Sequence, residues 1–126
     1  MGIRIVVGGC RYYNDYSLFC KFVDTCLLKI KDSYDIIILS GHCSGVDAMA
    51  ERYADENNYD LEIYPADWEK HGKAAGPLRN KKMVEKSDCV VAFWDGKSRG
   101  TKSLIDYAKR SEKPLRICKI PVNTKQ

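Results

Sequence analysis

Five short runs rich in β-branched and other apolar residues recur roughly every 25 to 30 positions. They are Ile3-Arg4-Ile5-Val6-Val7, Ile36-Ile37-Ile38-Leu39, Leu61-Glu62-Ile63-Tyr64, Cys89-Val90-Val91-Ala92-Phe93-Trp94 and Leu115-Arg116-Ile117-Cys118-Lys119-Ile120. The segments between them carry apolar residues at helical spacing. Leu18, Phe19, Phe22, Val23, Cys26, Leu27 and Ile30 mark the first helix, and Val46, Met49, Ala50, Tyr53 and Ala54 the second. A helix from Pro77 to about Lys86 presents Leu78, Met83 and Val84 inward, and one after Thr101 buries Leu104, Ile105 and Ala108. A strand, a crossover helix and a further strand pair in parallel, because the crossover returns the chain to the edge where it began. The expected class is α/β, with a parallel sheet of about five strands and helices on both faces.

At 126 residues the chain has one domain's length. Residues 1–120 form that domain, and Pro121 to Gln126 read as a polar tail. No transmembrane span is expected, and Met1 runs almost directly into a strand without a signal peptide, so a cytoplasmic protein without membrane contact is expected. The net charge of +4 is spread over lysines interrupted by acids. That pattern disfavours a polyanion partner and suits a small anion held by a local cluster. Six cysteines with no CxxC pair read as reduced thiols in apolar runs. Cys10, His42, Cys43 and His71 match no standard zinc spacing, so neither metal nor cofactor is expected.

Right-handed crossovers bring every strand-to-helix turn to one carboxyl edge of the sheet. Four turns then share a crevice: Gly8-Gly9 with Arg11, the stretch from Ser40 to Asp47, the loop through Arg79 and Asn80, and Asp95 to Thr101. In Gly76-Pro77-Leu78-Arg79-Asn80, Pro77 suits the first helical position and leaves a guanidinium beside free amides. Gly96, Ser98, Gly100 and Thr101 form a second amide-rich helix start, and such starts hold anions. Two readings stand side by side for Ser44-Gly45-Val46-Asp47. Ser44 caps a helix with Asp47 in its first turn, or Gly41 and Gly45 admit a ligand to which Ser40, Ser44 or Asp47 bonds. Tyr12 and Trp68 are packing residues or contacts for a base. His71, without an identifiable partner, reads as a solvated loop residue between Pro65 and Gly76.

The blocks GGCRYYNDY, SGHCSGVDAMAERYA, YPADWEKHGKAAGPLRNKKM and VVAFWDGKSRGTKSLIDYA span nearly the whole chain. Together they resemble the SLOG superfamily, the Rossmann-like group shared by Smf/DprA and Lonely Guy proteins, in its short YspA-like, YpsA-related branch. The resemblance implies a single Rossmann-like three-layer domain that recognises nucleotides or nucleotide-derived ligands, in an assembly of identical copies. It places the Lonely Guy arginine and following methionine at Arg79 and Met83, and the glycine-threonine phosphate turn at Gly100 and Thr101. The catalytic glutamate of those enzymes falls at Leu104, which has no carboxylate.

Three functions follow in order. The first is binding of a nucleotide-like ligand through its phosphate, with Arg79 and Arg11 as cations, Asp47 or Asp95 as sugar acceptors, and Trp68 or Tyr12 at the base. The second is N-glycosidic hydrolysis of nucleoside monophosphates with Asp95 or Asp47 as the carboxylate. The third is single-stranded nucleic acid binding, suggested by the positive charge and the tyrosines.

Overall fold

Side chains on successive strand residues point to opposite faces, so alternation along each run decides which helix it meets. The structure is a computed structural model that describes residues 1–123. Positions 124–126, the end of the expected tail, lie outside the described residues. Strands β1 (Gly2–Gly9), β2 (Asp35–Ser40), β3 (Asp60–Ile63), β4 (Cys89–Trp94) and β5 (Leu115–Lys119) form one sheet in the spatial order β3-β2-β1-β4-β5. All four pairings are parallel, with Val6 opposite Leu39 on one side and Val90 on the other. The fold is α/β and Rossmann-like.

Helices α1 (Tyr16–Leu27) and α2 (Val46–Glu56) share a core with Ile5, Val7, Ile36, Ile38, Val91 and Phe93. Helices α4 (Ala75–Lys86) and α5 (Arg99–Arg110) cover Val6, Leu39, Val90 and Ala92 on the other face. Between β3 and α4 lie the single turn α3 (Trp68–His71) and a 3₁₀ turn over Gly72–Ala74. The first core is anchored by Phe19, fully buried and stacked on Phe93 at 5.0 Å between ring centroids, with Tyr16 and Tyr53 at 5.9 and 5.8 Å.

Several local expectations shift. Gly8 and Gly9 are strand residues paired with Ala92 and Phe93, because β4 extends alongside them. Helix α4 starts at Ala75, since the 3₁₀ turn runs straight into it; Pro77 is its third residue, still within the turn whose N–H groups have no helical acceptor. Helix α5 starts at Arg99, so Gly100 and Thr101 lie in its first turn. Part of the presumed loop after Pro65 is helical because Asp67 accepts from the Lys70 N–H. Leu18 and Leu78 have the period of core residues yet are 42% and 44% exposed, and Ile30 lies beyond the end of α1. Leu18 and Leu78 stand at the margins of their helices' apolar stripes, whereas Ile30 is half-buried against the core beneath α1 and α2.

Replacing Phe19 by Ala is expected to cost about 3–5 kcal/mol in urea unfolding, because it removes a fully buried ring from the centre of the aromatic stack and leaves a cavity. Leu18→Ala on the same helix is expected to cost less than about 1 kcal/mol.

Candidate ligand-binding cleft

Two of the crossovers leave β1 and β4 for opposite faces of the sheet. Their turns part at the carboxyl edge, where a parallel sheet opens a crevice. A cleft of about 720 Å³ occupies that position. Its wall includes Gly8, Gly9, Arg11, Asp47, Trp68, Arg79, Asn80, Asp95, Ser98, Gly100 and Thr101 from the expected set. Ser40, Gly41, Ser44, Gly45 and Gly96 stand outside it and shape the turns.

Gly45 begins α2 at φ 72°, a conformation that favours glycine, and a side chain there would strike the Cys10 and Arg11 carbonyls. Of the two readings of this turn, that geometry rules out capping by Ser44, which instead donates from Oγ to the Arg11 carbonyl at 3.1 Å. The turns after β1 and β2 are thereby tied together. Ser40 is buried, donating to Glu51 at 2.8 Å and accepting from the His42 N–H at 3.1 Å. Gly41 offers its carbonyl to Arg79, and Gly96 is an exposed turn residue at φ 85°.

Arg79 reaches the cleft with much of its guanidinium already engaged. It donates to the Gly41 and Tyr64 carbonyls and to Asn80 Oδ1, and approaches Cys43 Sγ at 3.8 Å. It therefore braces the ends of β2 and β3. Asn80, 7% exposed, donates to the Gly100 carbonyl at 3.2 Å and locks α4 to the first turn of α5. Trp68 is half exposed at the rim, with its ring beside Gly76. His71 is exposed on α3, and His42 faces Glu51. Among the described residues no group of His, Cys, Asp or Glu is arranged to hold a metal ion.

The cations that complete the cleft were not singled out by the sequence reading. Lys73, Lys97 and Arg99 join Arg11 and Arg79 along the wall, against the two carboxylates Asp47 and Asp95. The first three lie inside the sequence blocks quoted above, but their outward or inward direction depends on where α4 and α5 begin. No side-chain partner is seen for Arg11, Lys73, Lys97 or Arg99 among the described residues. Val122 and Asn123 also line the cleft, because Ile120 is buried and its N–H bonds to the Trp94 carbonyl. Tyr12 is placed between Asp95 Oδ2 and the Pro121 carbonyl, and burial beside Asp95 pushes its phenol up to about 12.

No side chain caps α5, and its first helical hydrogen bond runs from the Lys102 N–H to the Ser98 carbonyl. The amides of the three residues before Lys102 consequently face the cleft with the positive end of the helix dipole. Ser98 Oγ meets Thr101 Oγ1 at 3.2 Å instead of capping. Asp95 fixes this start: its Oδ1 accepts from the Lys97 and Ser98 N–H groups at 2.9 and 2.8 Å.

The two carboxylates experience opposite environments. For Asp95, burial pushes upward but the Ser98 and Lys97 amides and the Tyr12 hydroxyl outweigh it, leaving its carboxyl below the ordinary 3.8. For Asp47, burial dominates over the Cys43 N–H and the nearby Arg79 charge, raising it above 3.8. Burial likewise raises Cys10, Cys20, Cys26, Cys118 and Cys89, the last to about 11, and all six cysteines are free.

Because its folded-state value is depressed, Asp95 contributes stability above pH 3.8 that is lost as pH falls through that folded value. Asp47 has the reverse sign: ionising it above pH 3.8 costs stability. At pH 7, Asp95→Asn is expected to lower the urea midpoint and Asp47→Asn to raise it, with both differences shrinking towards pH 3. Shifts of the same sign at pH 7 would contradict these environments.

The model of the YspA, cpYpsA-related SLOG family matches residues 3–71. The "Gene 61 protein" of Mycobacterium phage D29 is 31% identical over 118 residues, spanning 89% of this chain and 93% of that protein. The X-ray structure of TM1055, a Northeast Structural Genomics Consortium target, superposes with a TM-score of 0.63 at 20% identity, covering 91% of this chain and 72% of that one. That likeness concerns the fold. Among the described residues no helix is long and apolar enough to cross a membrane. On the extent of both sequence matches, this chain belongs to the YspA, cpYpsA-related SLOG family.

Proposed function

We propose that the cleft binds a nucleotide or nucleotide-derived small molecule through its phosphate. The observation that carries this reading is the uncapped start of α5 opening into a cleft where Arg11, Lys73, Lys97 and Arg99 have no side-chain partner among the described residues. Free amides at a helix start give directed bonds to phosphate oxygens, and arginines add charge-assisted ones. Trp68 at the rim offers an aromatic face for a base. Arg79 serves mainly to hold the β2 and β3 turns in position for this ligand.

Binding is preferred over glycosidic hydrolysis. Leu104 brings an apolar side chain to the cleft floor, and the oxygens of Asp95 are occupied by the Lys97 and Ser98 amides and Tyr12. An enzyme of that kind needs an ionised carboxylate free to assist an oxocarbenium-like state, which leaves Asp47, whose burial disfavours its charged form. The same cleft is bounded by α3 and the segment after β5, which suits a small ligand better than a continuous polynucleotide track. Copies of the chain are expected to associate, and native mass spectrometry of gently purified protein reads both the assembly and any retained metabolite.

In calorimetry, Arg99→Ala and Arg11→Ala are each expected to weaken a nucleoside monophosphate by roughly tenfold or more, the worth of a charge-assisted hydrogen bond. Affinity for the free nucleoside is expected to stay within about twofold. Equal losses for both ligands would remove the phosphate role. Release of free base from nucleoside monophosphates would establish hydrolysis instead.

A further inference from the structure

Asp47 is 6% exposed and lies in the cleft wall. Its Oδ2 accepts from the Cys43 N–H at 3.2 Å. No hydrogen bond from a protein group to Oδ1 is seen among the described residues, and the Cys43 thiol donates weakly to the Gly41 carbonyl. In a side chain this little exposed, a carboxylate oxygen with vacant acceptor capacity on the wall of a cleft rich in cations calls for a donor from the ligand.

Gly8 shows where that donor would stand. A Cβ added to Gly8 would lie 3.4 Å from Asp47 Oδ1 and 3.1 Å from Leu104 Cδ2. Any ligand atom resting on Gly8 therefore has a hydrogen-bond acceptor on one side and an apolar wall on the other. A phosphate is repelled there by the carboxylate. A sugar ring fits both, presenting C–H groups to Leu104 and a hydroxyl to Asp47. The spacing agrees, for Leu104 lies three residues beyond Thr101 on α5, about 4.5 Å along the helix axis. That is of the order of the reach from a 5′-phosphate at the helix start to its pentose.

We infer that Gly8, Asp47 and Leu104 form a subsite that reads a ribose hydroxyl, so the cleft takes ribonucleotides in preference to deoxyribonucleotides. This rests on the phosphate-binding reading above and adds the ligand's sugar to it. Asp95 is not the reader, because its oxygens are already bonded to the β4–α5 turn and Tyr12.

The test is calorimetry on the full chain with inorganic phosphate, AMP, GMP and CMP, and the 2′-deoxy and 3′-deoxy counterparts of each nucleotide. Wild-type protein is expected to favour at least one ribonucleotide over a deoxy counterpart by roughly tenfold, the worth of a hydrogen bond to a charged acceptor. Asp47→Ala is expected to bring that ratio close to one while retaining inorganic phosphate. Gly8→Ala, which places a methyl group in the subsite, is expected to weaken the ribonucleotides and leave phosphate binding intact. Equal wild-type affinity for ribo and deoxy forms, or a ratio unchanged in Asp47→Ala, would overturn the subsite while leaving the phosphate reading in place. Failure of wild-type protein to bind either phosphate or any nucleotide would remove both.

Discussion

Everything at the carboxyl edge depends on β1 being paired with β2 on one side and β4 on the other, all three parallel. Parallel pairing forces each connection to cross a face of the sheet, and the crossovers on the two sides of β1 take opposite faces. The turns after β1 and β4 cannot close over each other. The cleft is thus a consequence of strand order, and the side chains around it determine only what it admits.

Those side chains divide the cleft into regions of different character. Around the start of α5 there are uncapped amides and cations, with Asp95 consumed in shaping the turn. Around Gly8 there is a buried carboxylate facing an apolar wall. Both carboxylates are largely hidden from water, yet one is surrounded by donors and the other is chiefly desolvated, which separates their proton affinities. A ligand that is anionic at one end and a hydroxylated carbon framework at the other complements that division.

The walls keep their places through contacts between turns that are distant in sequence. Arg79 links α4 to the carbonyls of Gly41 and Tyr64, Asn80 links it to Gly100, and Ser44 joins the β2 turn to the β1 turn. Beneath them Phe93 stacks on Phe19, joining the strand that leads into the α5 turn to the helix that follows the β1 turn. Polar ties at the edge and an aromatic stack below hold the cleft to a defined shape, and such preorganisation would lower the ordering cost of the proposed binding.

Much of this was legible in the amino-acid order alone. The β-branched run Ile5-Val6-Val7 and the helical period of Phe19, Val23 and Leu27 are local signals, so they pointed to a parallel α/β sheet, and the glycine-bearing turns named most of the crevice. Leu104, standing where Lonely Guy enzymes carry glutamate, was equally visible as a letter in the chain. Direction and occupancy were not. Whether Lys73 and Arg99 face the cleft depends on the first residues of α4 and α5; whether Asp95 is free depends on two amides folding back onto it. That Arg79 acts as a brace, and that Asp47 meets Leu104 over Gly8, are contacts between segments far apart in sequence. Periodicity reports which residues prefer burial, because that preference is local, whereas hydrogen-bond partners and ligand-facing atoms are decided only when separate turns converge in space.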